Sequence, residues 1–419
     1  MRALRRVVVT GLGLQGPWGR DPDALFDHLL ASDSAVALHT PPDAPARLAL
    51  PAVLCPDFDA GATLGRPLAT TMDRYCQLGV AAALDAWRDA GLGERAEAEA
   101  EPRYGVSWGT ALGGTLTFEH GYRELFIAGR QRVSPLSVVL GMVNAAASHI
   151  GIQLRLGGAC LTYSIACASS ATAIGEGARR IRCGEADVVV AGGSEAPLSY
   201  GILRAWEAMR VLAPGDEHSA HRACRPFSAD RAGLVLGEGG AALVLEDYEH
   251  ARARGARILA ELAGYGSSCD ASHLVRPDAT GQARAIQAAL ADAGLAPADI
   301  DYVNAHGTAT PEGDPVEIQA LRQVFGEHAA RLPVSATKSM HGHQLGATGA
   351  LEALIAVLAL RRGQCPPTAH LAQIAAECEG VTHLRQARAM PLRHILSNAF
   401  AFGGSNAALI LKAPEAAEA

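Results

Sequence analysis

The sequence predicts a layered α/β protein made of two similar halves, and three observations carry that prediction. Strand-like apolar runs alternate with helix-like periodic segments along the chain, and the alternation runs through twice. The composition is 49% hydrophobic and 19% charged with 45 glycines, which suits a compact core and argues against disorder. A length of 419 residues is enough for two or three domain-sized units. The order of elements divides the chain at 1–253 and 254–419, although no short sequence repeat accompanies the division.

In the first half, Val7 to Thr10 reads as a strand closed by a Gly11-Leu-Gly13 turn. Pro17 interrupts any helix start there, so the glycines do not form a dinucleotide fingerprint. Asp23 to Leu30 reads as a short helix, Pro41 to Pro56 as a Pro-rich loop, and Met72 to Ala90 as an amphipathic helix. The Glu/Ala run from Glu94 to Glu101 reads as a solvated loop or helix end. Tyr104 to Thr110 is a strand, and Ser134-Pro135 opens a helix that runs through Met142 to Ile150. Asp187 to Ala191 is a buried strand capped by Gly192-Gly193, followed by a polar loop from His218 to Arg231. Two further strands lie near Leu234 to Leu236 and Ala241 to Leu245, and a helix and turn span Tyr248 to Gly255.

The second half repeats the pattern. Strands are expected at Ile258 to Gly264, Tyr302 to Ala305 and near Val334, Ile395 and Ala408. Helices are expected at Gly281 to Ala293, from Asp314, and from Gly346 to Arg361.

The chain is organised around Tyr163-Ser-Ile-Ala-Cys-Ala-Ser-Ser-Ala-Thr172. Leu161 to Tyr163 suits a strand, while Ala171, Ile174, Ala178 and Ile181 recur at helical spacing. Cys167 therefore falls on a sharp turn or in a helix's first residues. There it would meet unpaired backbone N–H groups and the positive end of the helix dipole, which favour the nucleophilic thiolate. A plain buried cysteine is the alternative.

Three later motifs weigh against that alternative. In Asn304-Ala-His-Gly-Thr-Ala-Thr-Pro-Glu-Gly-Asp314 a strand delivers His306 to a glycine turn, with hydroxyls at Thr308 and Thr310. These residues equally suit a structural histidine with turn or cap threonines. In Thr337-Lys-Ser-Met-His-Gly-His-Gln-Leu-Gly-Ala-Thr-Gly-Ala-Leu-Glu352, His341 and His343 straddle a glycine. A metal needs three or four ligands, and no second His/Cys pair sits nearby, so no metal is expected. The preferred reading makes one histidine catalytic, kept neutral at a helix N-terminus, with Lys338 pairing the otherwise costly Glu352. Asn398-Ala-Phe-Ala-Phe-Gly-Gly-Ser-Asn406 offers free backbone N–H groups and a mobile aromatic, suited to half of an oxyanion hole or to a plain hairpin turn.

Only Lys338 and Lys412 among the 36 basic residues are lysine, so Lys338 marks a place that needs a compact ammonium. The net charge of −7 gives no reason to expect nucleic acid or an anionic membrane as partner. The start, Met-Arg-Ala-Leu-Arg-Arg, does not read as a signal peptide, and the longest apolar run, Ala350 to Leu360, contains Glu352. Nine scattered cysteines without a paired C-x-x-C spacing suggest a reducing cytoplasm, with neither disulfides nor zinc.

The cysteine turn, His-Gly-Thr-x-Thr-Pro, Lys-Ser-x-x-Gly-His-x-x-Gly-Ala and Phe-Gly-Gly-x-Asn, in this order, closely resemble the β-ketoacyl-acyl-carrier-protein synthases of the elongating I/II type. Arg225-Pro-Phe, Asp230-Arg and Gly237-Glu-Gly extend the resemblance through the middle of the chain. It implies the thiolase-like five-layer αβαβα fold of two related halves, and a dimer. By motif, Cys167 resembles the acyl-accepting nucleophile, His306 and His343 the two catalytic histidines, and Lys338 with Glu352 the supporting pair. Phe402 resembles the gate whose backbone N–H joins that of Cys167 in the oxyanion hole. Thr308 and Thr310 resemble the hydroxyls that hold a phosphopantetheine arm. The implied reaction is decarboxylative Claisen condensation of an acyl group on Cys167 with malonyl-acyl-carrier protein, for fatty-acid or polyketide/polyene synthesis. It needs no cofactor.

The chain departs from the family's pattern in several places. Ala399 and Ala401 stand where relatives often have Ser and Gly, and His341 where Thr is common. Leu274-Val-Arg276 replaces a polar loop, which puts the usual coupling of that loop to the gate in doubt. Thr70 and Thr71 stand near the usual basic carrier-docking residues, with Arg66, Arg204 and Arg210 as substitutes. The resemblance places Leu112, Leu136 and Ser137 at the acyl-pocket wall and the dimer seam, where small side chains would admit long or stiff acyl groups. Three other readings stay open: the catalytic half of a heterodimer with a chain-length partner, a thiolase using free CoA esters, and a Cys-His acyltransferase or hydrolase.

Overall fold

The computed structural model describes residues 4–42, 44, 47–94 and 99–415, so part of the acidic Glu94–Glu101 run lies outside them. Eleven strands form one mixed sheet. Its order from one edge is Thr382–His383, Pro333–Ser335, Tyr302–Asn304, His394–Ala401, Ser405–Lys412, Ala260–Cys269, Val7–Gln15, Gly239–Asp247, Val188–Glu195, Tyr104–Gly109 and Cys160–Tyr163.

Leaving aside the short Thr382–His383 strand, the order reads the same from the centre outwards in both directions. In each direction the first strand of the half comes first, then the last, then three mutually parallel strands. Val7–Gln15 runs antiparallel to Gly239–Asp247, and Ala260–Cys269 antiparallel to Ser405–Lys412. Outward from these, Val188–Glu195, Tyr104–Gly109 and Cys160–Tyr163 are parallel, as are His394–Ala401, Tyr302–Asn304 and Pro333–Ser335. Val8↔Glu261 and Val9↔Ala260 join the two sets antiparallel.

Helices complete the layers. Ser169–Arg182 and Thr348–Arg362 pack on each other and touch strands of both sets, forming the inner layer. The second of these is buried from Thr348 through Leu360, so the apolar run in the sequence is a core helix. Arg74–Asp89 covers the outer face of one set, and Ala279–Ala293 with Gly313–Phe325 the other. The result is the thiolase-like αβαβα stack. No helix among the described residues is long and apolar enough to cross a membrane.

Several expectations need correction. Gly11 and Gly13 do not end a strand; they lie within Val7–Gln15, because a Cβ at either would come within 2.2 Å and 1.9 Å of the Ala86 and Ala82 carbonyls. Glycine here lets a helix lie directly on a strand. Gly192 and Gly193 likewise continue Val188–Glu195 rather than capping it. The expected helix from Ser134 to Ile150 is broken into Ser137–Gly141 and Ala145–Leu154. The Pro-rich loop contains a strand, Leu50–Val53, and helices Thr115–Phe126 and Tyr200–Ala208 were not expected.

Candidate active site

Cys167 sits in the turn between strand Cys160–Tyr163 and helix Ser169–Arg182 and is 7% exposed. The preceding Ala166 is held in the left-handed region at φ 42°, a conformation that costs a non-glycine residue free energy. Ser169 holds it there: its Oγ donates to the Ala166 carbonyl (2.7 Å) and accepts from the Ile165 N–H (2.8 Å). The strained turn delivers the sulfur to the floor of a cavity of about 400 Å³.

His343 Nε2 lies 3.0 Å from Cys167 Sγ, and its Nδ1 lies 2.9 Å from Thr348 Oγ1, at the start of the inner helix. His306 lies edge-on to His343 with ring centroids 5.4 Å apart. One ligand atom from each of Cys167, His306 and His343 falls within 4.8 Å of the others. The backbone N–H groups of Phe402 and of Cys167 itself also face the sulfur.

The electrostatics are governed by burial. The Cys167 thiol is pushed up to about 12 by burial, against the pull of Lys338 and the two N–H groups. This corrects the expectation of a resting thiolate, since desolvation outweighs the helix terminus. His306 and His343 are both held well below the usual imidazole range, first by burial and then by the Lys338 charge. Both are neutral, as expected for His343, with desolvation as the main cause. Lys338 Nζ meets Glu352 Oε1 at 2.6 Å, both essentially fully buried. The Lys338 ammonium, whose charge reaches both histidines, makes the three-atom cluster a poor place for a divalent cation. His341 is not part of it: its Nδ1–H donates to the Gly342 carbonyl (2.9 Å) and its Nε2 lies 3.0 Å from Thr337 Oγ1.

Thr308 and Thr310 line the cavity with their hydroxyls 3.1 Å apart. Phe402 stacks on Trp206, with ring centroids 5.9 Å apart. The Gly403 N–H donates to the Leu274 carbonyl (2.7 Å), so the altered 274–276 loop is tied to the gate through its backbone. Gly403 and Gly404 carry the positive φ values, 87° and 70°, so the alanine at 401 is not where the loop needs glycine.

The expected acyl-wall residues do not come together. Leu112 joins the apolar cluster around Cys167, whereas Leu136 is 43% exposed and Ser137 lines a separate cleft with Thr117 and Leu140. Arg210 reaches the cavity mouth, Arg204 is taken by Glu207, and Arg66 is exposed on the surface.

Sequence reading missed the carboxylates behind the site. Glu317 accepts from the backbone N–H groups of His306 and Gly307 (both 2.8 Å) and from Asn398 Nδ2 (3.0 Å). Asp314 accepts from Phe227 N–H (2.7 Å) and Ala309 N–H (3.1 Å). A signal was present, for Asp314 closes the His306 motif and Glu317 follows it by one helical turn.

Known proteins resemble the chain over almost its full length. The family model for the β-ketoacyl synthase N-terminal domain matches residues 4–251, and that for the C-terminal domain matches 259–372. Nodulation protein E of a Rhizobium species is 42% identical over 97% of this chain and 99% of its own. The 3-oxoacyl-[acyl-carrier-protein] synthase 2 of Coxiella burnetii is 40% identical over 97% of this chain and 98% of its own. Among solved structures, the ishigamide ketosynthase/chain length factor matches with a TM-score of 0.90 and 33% identity, over 98% of this chain and all of that one.

Proposed function

The chain belongs to the β-ketoacyl synthase family, and from that premise we propose that Cys167, His306 and His343 carry out a decarboxylative Claisen condensation between carrier-bound acyl and malonyl groups. The observation that supports the assignment is the convergence of one sulfur and two neutral imidazoles within 4.8 Å of one another.

Cys167 attacks an acyl thioester of the carrier protein. Its proton passes to His343 Nε2 and on to the departing carrier thiolate, leaving the acyl group on sulfur. Malonyl thioester then enters, its arm held by Thr308 and Thr310. Neutral His306 and His343, the latter as its Nε2–H tautomer with Nδ1 accepting from the Thr348 hydroxyl, donate N–H groups to its carbonyl oxygen, the bond to carboxylate breaks, CO2 leaves, and the electron pair remains as an enolate. The enolate carbon attacks the acyl-Cys carbonyl, whose oxyanion is met by the N–H groups of Cys167 and Phe402. Collapse expels the Cys167 thiolate, which takes one proton from solvent, and the chain is two carbons longer. Burial keeps both histidines neutral, the Lys338 charge adds to it, and Glu352 balances that charge.

A dimer belongs to this reading. The sheet ends on the edge strand Cys160–Tyr163, and the neighbouring helices expose Val138 (71%), Ile152 (62%) and Phe126 (80%). The likeness to a ketosynthase/chain length factor makes a heterodimer the second form of that interface. A cytoplasmic location fits nine cysteines that all carry free thiols.

Mass spectrometry tests the proposal: acyl carrier alone should add an acyl group to Cys167, and malonyl carrier should then release a product two carbons longer. Release of free acid in place of the longer product would favour the hydrolase reading.

A further inference from the structure

Glu195 ends strand Val188–Glu195 with its side chain fully buried. Its carboxylate accepts four hydrogen bonds from two loops. Oε1 takes Thr110 Oγ1 (3.0 Å) and Leu112 N–H (3.2 Å), and Oε2 takes Ala111 N–H (2.6 Å) and Gly346 N–H (3.2 Å). The Thr110 hydroxyl accepts from Gly113 N–H (3.3 Å), so its own proton is free to donate to Glu195. Every partner is therefore a donor, and no cation pairs with Glu195 among the described residues.

The two loops come from the two halves of the chain and meet at Glu195. Residues 110–112 follow strand Tyr104–Gly109 and bring Leu112 into the apolar cluster around Cys167. Gly346 lies three residues beyond His343. The backbones approach so closely that a Cβ at 346 would come within 2.4 Å of the Ala111 nitrogen and 2.8 Å of Glu195 Oε2. Leu345, beside it, is held at φ 44°. A single carboxylate oxygen thus bridges the acyl-side wall and the loop that aims His343.

We propose that Glu195 is a positioning residue, stapling the His343 loop to the acyl-side loop so that His343 and the acyl chain are placed relative to one another. The inference rests on the condensation proposed above. A carboxylate is required because each of its oxygens faces two donors. The amide of Glu195→Gln would turn an NH2 group toward N–H groups. Glu195→Asp keeps the charge but is one methylene short and cannot reach both loops. Burial pushes the Glu195 carboxyl up to about 7 against its four donors, and above that pH its negative charge disfavours the Cys167 thiolate.

The test compares wild type, Glu195→Gln and Glu195→Asp in three assays: malonyl-carrier decarboxylation, Cys167 acylation, and iodoacetamide alkylation of Cys167 against pH. In Glu195→Gln, decarboxylation should fall by about tenfold or more because the donor geometry at the enolate is lost. Acylation should slow as well, because His343 takes the Cys167 proton, and the alkylation profile should move to lower pH. In Glu195→Asp the alkylation profile should stay with wild type while decarboxylation falls. Equal decarboxylation in all three proteins would overturn the proposal. So would a Glu195→Gln alkylation profile that stays with wild type while both activities fall, the mark of general loosening rather than of a carboxylate at this place. Wild type without decarboxylation would defeat the condensation reading and the staple that rests on it.

Discussion

At the residue scale, Cys167 rests as a thiol because burial outweighs every group that would ionise it, so its reactivity depends on the imidazole 3.0 Å away. Cys167→Ala should abolish elongation in a folded protein that still decarboxylates malonyl carrier; elongation by that variant would refute the nucleophile. His306→Ala and His343→Ala should each lose decarboxylation by about 10²–10³-fold, since each removes a donor to the enolate oxygen. Wild-type decarboxylation by either would mean the histidine has another task. Lys338→Arg should be poorly active, because the planar fork does not fit the closed space beside Glu352, and full activity would make the lone internal lysine an accident. His341 offers a thermodynamic check. Burial first, then Lys338, holds it at about 3 against 6.5 when unfolded. Below 6.5 the unfolded chain takes a proton that the folded chain refuses, so this histidine costs stability as pH falls from 6.5 toward 3. Denaturation of His341→Thr should show it gaining on wild type by up to about 1.4 kcal/mol per pH unit across that window. A pH-independent difference would show that His341 is already solvated or charged. These residues were legible because their chemistry needs rare types in fixed order. Glu195 was not, since a single acidic residue at the end of a strand has no local mark of burial, whereas Glu317 was marked only by its place one helical turn after Asp314.

At the element scale, the sequence misled wherever glycine served packing. Gly11 and Gly13 read as a turn because glycine commonly makes turns, yet both sit mid-strand under the Ala82 and Ala86 carbonyls. Strand Ala260–Cys269 repeats the arrangement: Cβ atoms at Gly264 and Gly266 would come within 2.3 Å and 2.1 Å of the Ala289 and Ala285 carbonyls. Glycine at every second strand position, facing alanines four apart on the covering helix, is the sequence trace of the duplication, visible only once strand and helix are placed. Gly266→Ala should therefore destabilise the fold by about 1–3 kcal/mol in chemical denaturation, because backbone rather than a movable side chain blocks the new methyl. An unchanged midpoint would mean that helix Ala279–Ala293 lifts freely. The gate was half legible: Phe-Gly-Gly marked it, but Trp206 came from an unexpected helix. Trp206→Ala should free the Phe402 ring and raise KM for acyl carrier more than it lowers kcat for an already acylated enzyme. The opposite split would place Trp206 in the condensation step itself.

At the scale of the whole molecule, the alternation of strands and helices sufficed for the layered fold, because binary patterning survives without knowledge of partners. Leu136 and Ser137 are harder to place for the complementary reason: what they line is settled by what covers them. Their helix and its neighbours carry an apolar surface beside the open edge strand Cys160–Tyr163, with Val138, Ile152 and Phe126 all more than 60% exposed. An unpaired edge with flanking aliphatic side chains is costly to leave in water, and a second copy pairing strand to strand would extend the sheet and bury both. Such a face should bury at least about 1,000 Å² in total and hold the dimer at micromolar concentration or below. Ile152→Asp and Val138→Asp place a charge on that face without touching the core. Light scattering should find the wild type dimeric and the double variant monomeric with its circular dichroism intact, while mixing with a chain-length partner would give a heterodimer of the same size if that form prevails. A double variant that remains dimeric would move the interface elsewhere and return Leu136 and Ser137 to the solvent side of the molecule.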